Sequence, residues 1–373
     1  MRIQDFKLER YFAGHEFKVD YLLCGSDCES LTIANLLTLE ADACDQLQQH
    51  WLGYTESQGS PSLRREICSL YRTINPDQVL VHTGAEEAIF LFMHAVLEAG
   101  DHVIVQWPCY QSLAEVARSI GCQVTMWQAR EENGWALDTD ELQCYIQANT
   151  KVIAVNTPHN PTGYHMSHKM FQEINHIAQV NGIILFSDEV YRESEYEMAD
   201  CLPAACDLGE HAVSLGVMSK TYGLAGLRIG WIATGNSTIY TGMASLKDYT
   251  TICNSAPSEF LAELALRHRE ALVKRNVGII SSNLAVLDEF FQRHADKFVW
   301  LRPKAGPIAF PRLIGQEITV FCESLVKEAS VLLLPGTVYD DQENHFRIGF
   351  GRKNLPAAVS RLDEFLHRHR FGD

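Results

Sequence analysis

Short apolar runs rich in Val and Ile alternate with longer segments whose apolar positions recur at helical spacing. The runs fall at residues 79–82, 102–106, 151–156, 183–187, 212–218 and 229–233. Helical patterns lie between several of them, at 85–98, 110–120, 138–148 and 167–181. Strands that are apolar throughout are buried on both faces, so the pattern predicts an α/β fold with a mostly parallel sheet covered by helices. In such a sheet, ligands gather just beyond the carboxyl ends of the strands.

Outside this block the rhythm changes. Residues 31–52 carry apolar positions at helical spacing, 53–61 read as a loop and 63–71 as a helix. Residues 257–294 are helical with few breakers, which suits one long connecting helix. Short apolar runs at 308–313, 331–334 and 346–350 and an amphipathic helix over 355–369 predict a second, smaller α+β unit. Residues 1–30 read as irregular, without a sheet partner, packing near that unit or against another subunit. The expected division is an N-terminal segment (1–40) on the small unit, a large domain (41–265) and a small C-terminal domain (266–373).

Composition narrows the function classes. With 46% hydrophobic and 21% charged residues over 373 positions, a sizeable core is available. A net charge of −16 argues against a nucleic-acid partner, which needs cationic cover for phosphates. It leaves room for one small anion held by local donors. No apolar run is long enough for a membrane span. The 11 cysteines contain no CxxC pair, so neither a disulfide scaffold nor a metal site is expected. The charged N-terminus lacks an apolar leader core, and a cytoplasmic protein is expected.

Candidate chemistry sits after the strands. In SLGVMSKTYGLAGLRIGW, Lys220 follows an apolar run and precedes a glycine-punctuated loop. Desolvation there favours the neutral amine that reaction with an aldehyde requires. Arg228, eight residues on, suits a bidentate phosphate contact. In IILFSDEVY, a buried strand delivers Asp188, with Tyr191 three residues later. An isolated Asp there is ordinarily a cap or turn residue; a functional role needs a buried cation. In VNTPHNPTG, two prolines and a glycine force an irregular path that carries Asn160. In HTGAEEAIF, the N–H groups of Gly84, Ala85 and Glu86 open a helix and suit an anion. Tyr110 follows another strand, where it either packs or stacks on a flat ring.

Together these motifs resemble the pyridoxal-phosphate-dependent aminotransferases of class I/II, fold type I, over about residues 54–347. The resemblance implies a mostly parallel seven-stranded-type sheet between helices, a pyridoxal 5'-phosphate cofactor, a homodimer, and an amino acid and a 2-oxo acid as substrates. By resemblance, Lys220 forms the internal aldimine, and freed from it acts as general base. Asp188 pairs with the pyridine nitrogen, and Tyr191 and Asn160 bond the ring's phenolic oxygen. Tyr110 stacks on the ring, while Gly84, Ala85, Glu86, Ser219 and Arg228 hold the phosphate. Tyr54 reaches the neighbouring subunit's phosphate, and Arg347, in FRIGFG, binds the substrate α-carboxylate with Asn160 beside it. The chain departs from the family pattern at Val217 and in TGAEEA, where hydroxyl residues are usual, and in the segment YLLCGSDCES.

The expected activity is transfer of an amino group from an L-α-amino acid to a 2-oxo acid. An alternative keeps the cofactor but ends in elimination or ring closure: KAGPIAFPRL and the stretch around Lys220 resemble capreomycidine-synthase-like enzymes, which cyclise a hydroxylated arginine. A distant alternative is a serine hydrolase, since Ser324 to Lys327 fits SxxK. A non-catalytic ligand-sensing module on the same fold is a further possibility, disfavoured by intact Lys220, Asp188 and Arg228.

Overall fold

The computed structural model describes residues 2–368; the end of the expected final helix, at residue 369, lies outside them. The N-terminal segment departs from its reading as irregular. It forms helix α1 (Lys7–His15) and a short strand β1 (Tyr21–Leu22). β1 pairs in parallel with Val331–Leu332, so it has a sheet partner and lies on the C-terminal unit. A two-residue strand is too short to display a period, so no pattern in the sequence marks it. Residues 31–52 hold two short helices, α2 (Ile33–Leu37) and α3 (Ala43–Gln48). Helix α4 (Pro61–Cys68) begins where the Ser60 hydroxyl accepts the Leu63 N–H, with Pro61 in the first turn.

The central sheet is built from β2 (Val79–His82), β3 (His102–Trp107), β4 (Gln123–Gln128), β5 (Thr150–Asn156), β6 (Ile184–Asp188), β7 (Ala212–Val217) and β8 (Gly230–Thr234). Its order is β2-β8-β7-β6-β5-β3-β4. Pairings among β4, β3, β5, β6 and β7 are parallel, while β8 runs antiparallel to both its neighbours. That one reversal has a consequence for the site: the start of β8 lies at the same edge as the ends of the other strands. β4 escaped the sequence reading because it is an edge strand, largely half-exposed, and carries no continuous apolar run.

Helices cover both faces. α5 (Ala85–Val96), α6 (Ser112–Ile120) and, later in the chain, Ser237–Lys247 bury Phe92, Leu113 and Met243 on one face against Val105 and Phe186. α7 (Thr139–Tyr145) and α8 (His168–Val180) cover the other, where Leu142, Phe171 and Ile174 meet Ile104, Ile153 and Leu185. The Ser237–Lys247 segment, α9, was not anticipated; its small and polar residues give a weak periodicity.

The expected single helix over 257–294 is two: α10 (Ala256–Arg267) and α11 (Arg269–Arg293), broken at His268. Arg267 and His268 both bind Glu40, which ties the break to the N-terminal part of the chain. The smaller unit follows, with short strands β9 (Phe298–Val299), β10 (Ile308–Ala309) and β11 (Arg312–Leu313), helix α12 (Ile318–Ala329), strands β12 (Val331–Leu332), β13 (Leu334–Pro335) and β14 (Phe346–Gly349), and helix α13 (Leu355–Arg368). It has its own core around Phe290, Phe291, Phe321, Leu325, Phe346 and Leu362. Gly349 is where β14 meets the N-terminal segment. A Cβ there would stand 1.9 Å from the Gly25 carbonyl oxygen, and the Gly349 N–H donates to Leu23 O at 3.0 Å. Among the described residues, no helix is long and apolar enough to cross a membrane.

Candidate active site

A cavity of about 400 Å³ opens where the strand ends, α1 and β14 converge. Its floor comes from the sheet. Buried β6 carries Asp188 to its carboxyl end, and the chain leaving β7 supplies Ser219 and Lys220. Burial pushes the Asp188 carboxyl up to about 7, and neighbouring Glu189 and Glu86 push the same way. Lys220 and the Val190 N–H, 3.2 Å from Asp188 Oδ1, oppose the shift. Asp188 is thus a carboxylate that lacks a cation close enough to repay its desolvation.

Lys220 is shifted in the complementary direction. Desolvation lowers its pKa, assisted by Arg347, while Asp27, Asp188 and Glu9 pull it back. Its Nζ donates to Ser26 Oγ at 2.8 Å and lies 5.9 Å from the Tyr191 ring centre. The Tyr191 hydroxyl is buried in this wall without a well-formed hydrogen bond, with Ser26 beside it.

A second wall is polar and prearranged. Asn156 Nδ2 donates to the Asp188 carbonyl at 2.9 Å, and its Oδ1 accepts the Asn160 N–H at 2.6 Å. This fastens the turn after β5 to the end of β6. Asn160 Oδ1 accepts from Arg347 Nη1 at 3.1 Å and from the Tyr339 hydroxyl at 3.2 Å. Arg347, fully buried on β14, also donates to Tyr339 Oη at 2.7 Å and twice to Cys24 O.

The third wall is the mouth of α5. Gly84 caps this helix at φ +84°, a conformation that suits glycine. A Cβ on Gly84 would come 2.5 Å from Arg228 Nη2, so the guanidinium lies directly over the helix start. Ala85, Glu86, Arg228 and Ser219 all line the cavity, and Val217 lines it without a donor. Tyr110 closes one side, with Phe6 against its ring (centroids 5.0 Å apart) and Glu9 near its hydroxyl.

The cavity therefore gathers Gly84's helix start, Ala85, Glu86, Tyr110, Asn160, Asp188, Tyr191, Ser219, Lys220, Arg228 and Arg347. It does not gather Tyr54, which is 84% exposed beside Leu52 and residues 253–257. Ser324 and Lys327 lie on α12 away from the cavity, with Lys327 exposed, so the SxxK reading has no site around it. Sequence reasoning missed Glu9, Glu16, Ser26, Asp27, Tyr339 and Arg352. Arg352 makes a two-pronged pair with Asp27 (3.1 and 2.9 Å), and Glu9 and Glu16 line the cavity from α1 and its end. A Gly-Ser-Asp turn directly after the apolar YLLC was the available signal; the acids of α1 had none.

This set of groups fits a flat, cationic ring with an anionic tail. The underpaired Asp188 suits a protonated ring nitrogen, the Tyr191 hydroxyl awaits a partner, and the capped start of α5 with Arg228 suits a phosphate.

Comparison with known proteins agrees. The family model for aminotransferase class I and II matches residues 22–362. Capreomycidine synthase of Streptomyces vinaceus is 28% identical, covering 99% of this chain and 94% of its own length. A solved PLP-dependent aminotransferase from Streptococcus suis is 33% identical with a TM-score of 0.94, covering 100% of both chains. The solved PLP-dependent cyclase OrfR is 29% identical with a TM-score of 0.90, covering 99% of this chain and 98% of its own.

Proposed function

The chain belongs to the class I and II aminotransferase family, whose cofactor is pyridoxal 5'-phosphate, and we propose that it transfers the amino group of an L-α-amino acid with a positively charged side chain to a 2-oxo acid. The observation that carries the substrate class is the cavity's charge layout. Arg347 faces the cavity from β14, while Glu9, Glu16 and Asp27 line it from the N-terminal segment, where Arg352 is paired with Asp27 and the acids remain in excess by two. A single carboxylate is welcome at Arg347, but a second one on the side chain meets the excess of Glu9 and Glu16, Arg352 being already engaged by Asp27. An ammonium or guanidinium meets partners.

When bound, the cofactor supplies an aldehyde carbon that joins amines and a ring that takes up the electron pair left as the α-proton departs. Lys220 Nζ, whose charged form desolvation disfavours, is the amine that would hold the cofactor at that carbon, with water as the leaving group. Once free, Lys220 Nζ would be the base placed to take the α-proton of the substrate and to return it. Asp188 would face the ring nitrogen and hold its proton in place. Tyr191 and Asn160 donate to the ring's phenolic oxygen. The N–H groups of Ala85 and Glu86 past Gly84, the Ser219 hydroxyl and Arg228 hold the phosphate, and Tyr110 covers the ring. Arg347 makes four hydrogen bonds with five N–H donors, which leaves it one for the α-carboxylate alongside Asn160. We further assign Tyr54 to the phosphate of a second copy, in a homodimer joined at the exposed apolar patch of Trp51, Leu52, Tyr54 and Ile252.

Borohydride reduction followed by peptide mapping tests the core of this reading. The cofactor is expected on the peptide that contains Lys220, and Lys220→Ala is expected to abolish both adduct and turnover. An adduct elsewhere sinks the assignment. A donor screen tests the substrate class: lysine, ornithine and arginine types should alter the bound cofactor's spectrum, and aspartate and glutamate should not.

A second reading, ring closure or elimination, is favoured by one observation. Among curated relatives, the likeness to capreomycidine synthase extends over 99% of the chain and takes in the N-terminal wall of the cavity, while that to the aspartate aminotransferase of Pyrococcus horikoshii covers 86%. Leaving out the 2-oxo acid separates the two. Sustained turnover without it supports the single-substrate reaction, and turnover that stops after one cycle supports transfer.

A further inference from the structure

We propose that the Glu86 side chain, carrying a proton, donates a hydrogen bond to the phosphate of the bound cofactor. This rests on the phosphate placement given above and assigns a side chain to it. The helix start at Gly84 and the guanidinium of Arg228 make this end of the cavity an anion site. Yet an acid stands in it. Glu86 faces the cavity from the first turn of α5, and its Oε2 accepts from Ser112 Oγ at 3.1 Å, which fixes the carboxyl in place. The charged and titratable groups that face it are Glu9 from α1, Tyr110 after β3, Asp188 at the end of β6 and Arg228 before β8. Arg228 is the one cation among them.

Burial pushes the Glu86 carboxyl up to about 7, and Glu9 adds to the shift; Ser112, Tyr110 and Arg228 oppose it. A phosphate dianion set beside it raises the cost of the ionised form further, so binding draws a proton from solvent onto Glu86. The neutral carboxyl then has one O–H to give and a phosphate oxygen to receive it. Val217, which also lines the cavity, offers no donor of its own.

The test measures cofactor dissociation constants between pH 6 and 9 for the wild type and Glu86→Gln. Pyridoxal, which lacks the phosphate, is the control. In the wild type the affinity should fall by about tenfold per pH unit above the Glu86 pKa, beyond whatever trend Glu86→Gln retains. Gln keeps a donor that does not titrate, so its affinity should match the wild type at pH 6 and exceed it at pH 9. Glu86→Leu, without a donor, should bind the cofactor roughly tenfold more weakly at pH 6. With pyridoxal, all three should behave alike. The same pH dependence in Glu86→Gln and wild type, or equal differences with pyridoxal, would overturn the proposal. Arg228→Ala tests the placement itself. Equal losses of cofactor and pyridoxal affinity there overturn placement and proposal together. A loss confined to the phosphorylated form, with Glu86 variants unchanged, overturns the proposal alone.

Discussion

Asp188 is held for a partner that the protein does not itself supply. Its folded pKa is raised, so between roughly pH 4 and about 7 the folded chain binds a proton that the unfolded chain has released. Stability of the cofactor-free protein should therefore fall as pH rises through that window. Asp188→Asn removes the cost and should raise the cofactor-free melting temperature at pH 8, while lowering turnover by about a hundredfold or more. Calorimetry and initial rates check the pair; a substitution that lowers both instead indicates a purely structural Asp188. At this scale the sequence was informative where chemistry is local. Lys220, Arg228, Asp188 and Arg347 sit in short motifs in or beside strands, and the structure brings all four to one cavity. Glu9, Glu16 and Arg352 were illegible for the opposite reason. A carboxylate on a surface-like helix looks the same whether it faces water or a cavity, and only tertiary packing decides.

Among the elements, strands buried on both faces were readable because burial imposes an apolar run, and β2, β3, β5, β6, β7 and β8 fall where expected. In the smaller unit the runs at 308–313, 331–334 and 346–350 fall on β10 and β11, on β12 and β13, and on β14, whereas edge strand β4 and the two-residue β1 and β9 impose no such run and were not readable. The helix over 257–294 looked continuous because its break at His268 uses no Gly or Pro; it is marked instead by hydrogen bonds to distant Glu40. Two glycines make testable claims about elements. Gly84→Ala places a methyl in a left-handed turn and against Arg228, and should weaken cofactor binding by tenfold or more with little loss of melting temperature. Gly349→Ala drives a methyl into the Gly25 carbonyl, which must separate β14 from the N-terminal segment. It should cost about 2 kcal/mol or more in denaturant unfolding and raise KM more than it lowers cofactor affinity.

For the molecule as a whole, the N-terminal segment is a wall of the cavity rather than a tail. Removing residues 1–22 takes away α1 and β1, and with them Glu9, Glu16 and the cover over Tyr110. The truncated protein should keep its cofactor, lose discrimination between cationic and acidic amino acids, and show a KM raised by about tenfold or more for the preferred donor. A KM left unchanged removes the role given to that wall. The exposed patch around Tyr54 belongs to the same scale. Leu52→Asp should shift a sedimenting dimer toward monomer and release cofactor with it. Sedimentation that is unaltered removes the patch as the contact.

The parallel pairing of β1 with β12 carries one more implication. Tyr21 and Leu22 leave the ribosome long before Val331 and Leu332. The sheet that bears Lys220 and Asp188 is complete much earlier in translation than the ledge on which β1 settles. A nascent chain halted before Val331 would carry the cavity's floor but no seat for its own beginning, leaving the Lys220 amine open to any passing aldehyde.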